Sequence, residues 1–419
     1  MSVAAERSAV RTVARAWQSV PLRELCEFYN GLWKGKKGPF ETATVIRNSN
    51  FTSDGRIDLT NVAVLDVESR QLAKRRLKRN DIIIEKSGGG PKQPVGRVVL
   101  FDLDTGDAYS FSNFTSVIRV ADAKVVDPVY LHRVLYWWYT SGRTESIQSH
   151  STGIRNLDFN AYKELSVPLP PLEEQKRIVA VLDQAFAALD RARAHAEANL
   201  ADATELARSV VTQEINTANP NGATETTLGN LCAIARGGSP RPIKRFLTDD
   251  DDGVNWIKIS DATASGQFIE QTKQRIIREG VSRSRYVEPG AFLLTNSMSF
   301  GRPYVLRTSG CIHDGWLVLE PDYKRVDQDY LYYLLGSSEV YGKFDRAAAG
   351  STVRNLNIRL VSEIPVSLPT IEEQREIAAR IEGAFKRTKV AEDAYQRKLA
   401  DIAALRQSLL QKAFAGELT

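Results

Sequence analysis

The chain has 419 residues, with 42% hydrophobic and 26% charged side chains, the balance of an ordinary globular protein with room for two to four domains. No run of 18 or more apolar residues occurs, so no transmembrane helix is expected. The formal charge is only +5, but residues 20–101 carry 15 Lys/Arg against 9 Asp/Glu, whereas residues 172–213 carry 5 against 7. Basic charge gathered in a globular segment is the footprint of a polyanionic partner.

In chain order, Met1 to Ala16 shows scattered charge and no apolar stretch, which fits a frayed tail or short helix better than a secretory or organelle leader. Val20-Pro21-Leu22-Arg23-Glu24-Leu25-Cys26 then opens a segment with β-type runs at 44–46, 81–84 and 96–100, separated by Gly, Asn, Asp and Pro. Asp127-Pro128-Val129-Tyr130 has the form of a helix start, with Asp as N-cap and Pro in the first turn. It superficially resembles the Asp/Asn-Pro-Pro-aromatic motif of DNA amino-methyltransferases, but it lacks the second proline and an F-x-G-x-G companion. Capping is the better reading.

From Pro170-Pro171 the pattern changes to apolar residues at alternating steps of three and four: Leu182, Ala185, Leu189, Ala192, Ala196, Ala203, Leu206 and Val210, with Asn199 in one slot. A helix of about 40 residues is predicted, on the order of 60 Å long, whose narrow seam requires a second helix. The Pro/Asn/Gly-rich stretch Asn216 to Thr224 reads as a linker.

The same programme then repeats. Thr227-Leu228-Gly229-Asn230-Leu231-Cys232 matches the first opening, β-type runs follow at 255–259, 291–294 and 316–319, and Asp327-Gln328-Asp329-Tyr330 opens the matching helix. The last seam reads Ile381, Ala384, Thr388, Ala391, Tyr395, Lys398, Ile402, Leu405 and Leu409. Sliding residues 154–213 onto 353–412 without a gap gives 20 identities in 60, including Arg155-Asn156-Leu157 with Arg354-Asn355-Leu356 and Glu173-Glu174-Gln175 with Glu372-Glu373-Gln374. This is duplication of a whole domain plus its helix. A pseudo-twofold then makes the helices antiparallel and the molecule a dumbbell, with Asn199 and Lys398 setting the register of the seam.

The expected boundaries are a tail at 1–16, a first globular domain at 17–170, a long helix at 171–215, a linker at 216–224, a second globular domain at 225–369, and a second long helix at 370–415 with a tail to 419. Three cysteines, two of them at matching places (Cys26 and Cys232), suit buried apolar positions in a reducing cytosol and not a disulfide or zinc framework. Four histidines without H-E-x-x-H or C-x-x-C spacing argue against a metal site. Neither a phosphate-binding G-x-x-x-x-G-K-[ST] loop nor a G-x-G-x-x-G loop occurs. Asp81 with Glu85-Lys86 has the wrong spacing for a nuclease carboxylate cluster.

Loops rich in Lys, Arg, Asn, Gln, Ser and Gly remain as candidate DNA contacts. In the first half these supply Lys34, Lys36, Lys37, Arg47, Asn48, Lys86 and Gln93; in the second, Ser239, Arg241, Lys258, Asn296, Ser297 and Arg302. Cations neutralise phosphates, glycine lets backbone approach, and amides, hydroxyls and guanidinium groups read base edges. Solvated turns are the competing reading for any one loop. Arg155, Asn156, Arg354 and Asn355 fit either DNA contact or a structural junction. The Glu-Glu-Gln triplets fit either helix-end stabilisation or a docked partner.

Two variable α+β domains, each followed by L-P-x-[LI]-E-E-Q-x-x-I and a long helix, resemble the DNA specificity subunit (HsdS family) of type I restriction-modification systems, from about Trp17 to Leu418. The resemblance implies two target recognition domains separated by two long antiparallel coiled-coil helices, reading the halves of a split double-stranded DNA site. It also implies two adenine methyltransferase subunits docked on the helices and, for restriction, motor-nuclease subunits. The chain itself would be non-catalytic and bind neither S-adenosylmethionine nor ATP. A related methylation-linked defence system, a fused methylase-nuclease and a coiled-coil scaffold are the alternatives.

Overall fold

The computed structural model describes residues 17–33, 35, 37–90, 93–104, 106–151, 153–217, 223–263, 265–297, 300–348 and 355–418. The N-terminal tail and the centre of the linker therefore lie outside the described residues. Strands and helices are mixed, and among the described residues no helix is long and apolar enough to cross a membrane. The strands that organise both halves are β1 (Gln18–Pro21), β2 (Cys26–Asn30), β3 (Asp81–Glu85), β4 (Val98–Phe101), β5 (Thr115–Val120), β6 (Ser166–Leu169), β7 (Thr224–Thr227), β8 (Cys232–Arg236), β9 (Phe292–Thr295), β10 (Pro303–Leu306), β11 (Trp316–Pro321) and β12 (Pro365–Leu368). The main helices are α1 (Ser69–Arg75), α2 (Pro128–Thr140), α3 (Leu172–Thr217), α4 (Gln328–Gly336) and α5 (Ile371–Ala415).

The chain divides into two compact units, one ending at Glu197 and resuming at Arg397, the other Ala198–Gln396. Each unit thus takes part of both long helices. In the first unit, β2, β5, β3 and β4 form an antiparallel sheet in that order, with Cys26 opposite Val120 and Ile82 opposite Ile118. Ile82 and Ile84 face α2, whose Tyr130, Leu131, Val134, Leu135 and Trp138 are buried with them. Ile83 and Val117 serve a smaller cluster on the other face, as alternation along a strand requires. β1 pairs with β6 and closes the domain next to the helix start.

In the second unit, β8, β11, β9 and β10 repeat that order, with Cys232 opposite Pro321 and Phe292 opposite Leu319. A fifth strand, Phe268–Ile269, joins in parallel at the β10 edge. β7 pairs with β12 as β1 does with β6. Asp127 caps α2 by accepting from the Tyr130 amide, and Asp327 caps α4 by accepting from Asp329 and Tyr330. The Asp-Pro-x-Tyr stretch is therefore a helix cap. Gly31 and Gly237 follow β2 and β8, where a side chain would collide with the backbone carbonyls of Ser112 and His313.

The long helices span 46 and 45 residues. Within the first unit, Ile178, Leu182 and Phe186 of α3 pack with Leu410, Ala413 and Phe414 of α5, and Arg406 pairs with Asp190 at 2.7 Å. Within the second, Ile215 packs with Ile377, Ala378 and Ile381, and Arg380 pairs with Glu214 at 2.8 Å. Both sets run antiparallel. The expected seam needs correction in its second half. Asn199 and Lys398 are exposed, as are Leu206 (57%) and Leu405 (50%), while Leu200 and Leu399 are half-buried and Ala207 is buried. An ideal straight helix drifts off a strict heptad, and the buried stripe has moved by one residue. Asn199 and Lys398 therefore do not set the register.

Candidate nucleic-acid interface

In the first unit the chain leaves the sheet at Glu85, a fully buried carboxylate. Arg97 grips it with two bonds, Nε to Oε2 at 2.8 Å and Nη2 to Oε1 at 3.0 Å. Asn48 donates to the same carboxylate at 3.1 Å, and Arg97 also donates to the carbonyls of Asn48 and Phe51. This buried network fastens the Arg47-Asn48 turn to the Lys86 loop. At the other end of β3, Asp81 is equally buried and takes two 2.7 Å bonds from Arg119. Each acid thus has its own arginine, and the two do not form a carboxylate cluster.

Beyond Glu85 the backbone passes through Gly88 (φ +126°) and Gly89 (φ +58°), conformations that favour glycine. Gly90 and Gln93 exchange backbone hydrogen bonds, leaving the Gln93 side chain exposed at the tip. The strand Ile154–Leu157 pairs with Ser87-Gly88, the Leu157 amide donating to the Lys86 carbonyl at 2.8 Å. Ser87 Oγ donates to Asn156 Oδ1. Arg47, Asn48, Lys86, Arg155 and Asn156 are therefore brought together, all half-buried, around one loop base. Lys86 donates to Asn30 at 2.9 Å and lies 5.8 Å from the Phe159 ring, over which Lys163 also sits at 5.0 Å. Burial, and after it the charge of Lys163, holds the Lys86 ammonium below its usual pKa. Lys37 lies apart, exposed, with its amide on Glu68. Lys34 and Lys36 lie outside the described residues.

In the second unit the candidates converge on a residue the sequence reading missed, Asp314. Ser239 Oγ donates to its Oδ1 at 2.7 Å and Arg241 to its Oδ2 at 3.0 Å, while Arg236 and the Asn296 amide donate to its carbonyl at 2.9 and 3.0 Å. Burial pushes the Asp314 carboxyl up, but the Ser239 and Arg241 bonds outweigh it and hold the group below its ordinary value. Asn296 is only 1% exposed, and its carbonyl accepts the Leu356 amide at 2.8 Å. Its role here is to shape the loop. Lys258 is half-buried, with its amide on Asp261, and lies close enough to His313 to help keep that ring neutral, behind the larger effect of burial. Arg302 is exposed beside Gly301 (φ +77°), its amide donating to Thr295 Oγ1. Ser297 and Asn355 are half-buried, and Asn355 Oδ1 is enclosed without a hydrogen-bond partner among the described residues. Arg354 lies outside the described residues.

The two loop bases are counterparts. The Leu157 amide on the Lys86 carbonyl and the Leu356 amide on the Asn296 carbonyl are the same bond, made where β3 and β9 end. The Arg-Asn-Leu repeat therefore anchors the loop that leaves the central strand. The Glu-Glu-Gln repeat has an equally definite place. Gln175 accepts the Asp127 amide at 2.8 Å and donates to Val125 and Pro170, and Gln374 does the same with Asp327, Arg325 and Pro369. Both glutamines are fully buried, so they lock the helix start to the domain.

Comparison with known proteins agrees with this plan. The model of the type I restriction modification DNA specificity domain matches residues 15–197 and again 220–394. The chain is 27% identical over 331 residues to the EcoBI specificity subunit of Escherichia coli, covering 72% of this chain and 69% of that one. It is 23% identical to the StySPI specificity subunit of Salmonella potsdam, covering 96% and 89%. Among solved structures it is similar to a chain from work on complex assembly and conformational transition of the type I R-M system (21% identity, TM-score 0.77, covering 96% and 99%). It is also similar to the HsdS subunit of Thermoanaerobacter tengcongensis (20% identity, TM-score 0.57, covering 96% and 98%). With the domain matched twice over most of its length, the chain belongs to the type I restriction-modification DNA specificity family, whose task is DNA sequence recognition.

Proposed function

We propose that each recognition domain reads one half of an asymmetric, bipartite double-stranded DNA site, that the paired long helices set the unread gap, and that two DNA adenine methyltransferase subunits dock on those helices. Motor-nuclease subunits complete the restriction complex, which works in the cytoplasm. The chain itself supplies no catalysis.

The observation that carries this reading is the contrast between sheet and loops. Strand order, register and the Leu157/Leu356 anchor are repeated, whereas the loops hung on them differ: Glu85–Arg97 with Lys86 in one, Asp314 with Ser239 and Arg241 in the other. A repeated frame with different readers suits two different half-sites. We assign direct contact to the exposed tips Lys37, Gln93, Arg241 and Arg302, together with Ser297. Loop positioning goes to Asn48, Asn156, Asn296 and Asn355, with Arg47, Lys86, Arg155 and Lys258 completing the electrostatic surface. Lys34, Lys36 and Arg354 stay as candidates on sequence grounds.

Mapping methylated adenines genome-wide in cells carrying this chain and its partner subunits tests the proposal. One split motif with unlike halves is expected, and Gln93→Ala should relax bases in one half only. A continuous or palindromic motif would sink it. Absence of any methylation tied to the chain would favour the scaffold reading, and methylation restricted to another defence locus the related-system reading.

A further inference from the structure

The sequence candidates do not include the most concentrated basic run of the chain, Lys74-Arg75-Arg76-Leu77-Lys78-Arg79. In the first unit this run leaves the end of α1 and borders a groove of about 750 Å³ against β2, with Tyr29 and Arg119 on the facing wall. Two cations of the run, and Arg119 on the facing wall, are already spent on structure. Arg75 donates to the carbonyls of Asn30 and Gly31, Arg79 pairs with Asp104 at 3.3 Å, and Arg119, 4.6 Å from the Tyr29 ring, is neutralised by buried Asp81.

Lys74, Arg76 and Lys78 are different. All three are exposed, and none pairs with an acid among the described residues. Leu77 between the last two is buried, its amide on the Tyr109 carbonyl, so the extended chain turns Arg76 and Lys78 to the same, outer side. A helix C-terminus accounts for a cation at Lys74, but not for the two beyond it. Asn30 links this groove to the loop base described above: its carbonyl holds Arg75 and its side chain holds Lys86. In the other copy, the register that matches Ile82 to Phe292 puts Ser284-Arg285-Tyr286-Val287-Glu288-Pro289 at the corresponding place, with one cation and one acid.

We propose that this groove holds the sugar–phosphate backbone of duplex DNA, Lys74, Arg76 and Lys78 each neutralising a phosphate, and that it belongs to the first recognition domain alone. The inference rests on the DNA-recognition reading and adds to it a sequence-independent grip beside the base-reading loop. Phosphate contacts fix position without carrying sequence information.

The test is the salt dependence of full-length chain binding to a fluorescein-labelled random-sequence duplex, followed by anisotropy. Each neutralised phosphate contributes about 0.9 to the slope of log K against log salt, so K74Q/R76Q/K78Q should flatten it by about two to three. The charge-matched control R208Q/K386Q/K389Q, on the long helices, should leave the slope unchanged. Equal slopes for the groove variant and the parent overturn the proposal, as does equal flattening in the control, which would mean that net charge alone matters. If the triple variant fails to melt like the parent, K78Q alone should still flatten the slope by about one. In cells with the partner subunits, the triple variant should methylate less but at the same sequence; a changed sequence would mean that these residues read bases. Failure of the parent chain to bind DNA at all would instead overturn the DNA-recognition reading.

Discussion

Gln175 and Gln374 each satisfy three backbone groups at a junction that water cannot reach: the amide of the helix-cap aspartate, a carbonyl just ahead of it, and the carbonyl of the proline turn. Replacing either by leucine keeps the volume but strands a buried N–H and two carbonyls. Each orphaned group costs about 1–3 kcal/mol, some of it recovered by relaxation, so Gln175→Leu and Gln374→Leu should each destabilise the chain by about 2–4 kcal/mol. Urea unfolding followed by tryptophan fluorescence would show it. A loss below about 1 kcal/mol would mean that the lock is redundant. The repeat marked these residues from the sequence, but their role was not legible, because two of the three partners of each are backbone groups about fifty residues upstream. Asp314 was illegible for the opposite reason: an isolated aspartate between His313 and Gly315 carries no motif, and only folding brings Arg236, Ser239, Arg241 and Asn296 to it.

At the scale of elements, the apolar runs at 81–84, 291–294 and 316–319 and the starts of the Asp-capped helices are where the sequence puts them, within a residue or two, whereas the central strand Thr115–Val120 was not anticipated. The short helix Ser338–Ala348, which follows α4 almost without a break, was not anticipated, although Val340, Phe344 and Ala348 recur at helical spacing behind Ser337. The long helices were legible in extent, but in phase only over their first halves. A heptad template assigns Leu206 to the seam, whereas the helix buries Ala207 to 5% and leaves Leu206 57% exposed. That difference is measurable. Leu206→Lys should change stability by no more than about 0.5 kcal/mol, as surface changes do. Ala207→Lys has to push a long cation into the packed seam, and should cost about 1–3 kcal/mol even if the ammonium snorkels outward. Thermal melts of the two variants separate the readings: equal losses, or the larger loss at Leu206, would restore the heptad phase.

At the scale of the whole chain, periodicity tells which face of a helix is buried, not which segment covers it. Each compact unit therefore holds something no linear reading delimits: a recognition domain, part of its own long helix, and part of the other copy's helix. The proposed function makes those helices a spacer, and a spacer predicts a number. The units end at Glu197 and Gln396, so an insertion after both positions leaves the contacts within each unit intact. About four residues add roughly 6 Å of helix at 1.5 Å each, near the axial rise of two base pairs at about 3.4 Å apiece. They also turn the helix by about one full turn plus some 40°, so the buried stripe is nearly kept in phase. With the partner subunits present, the paired insertion should lengthen the unread gap by about two base pairs while both half-sites keep their sequence. Inserting into one helix alone should instead mismatch the pair and abolish methylation, because the added turn has nothing opposite it. Methylated-adenine mapping reads both outcomes. An unchanged gap in the doubly extended chain would leave the helices as a docking platform and move the measurement of spacing to the subunits that bind them.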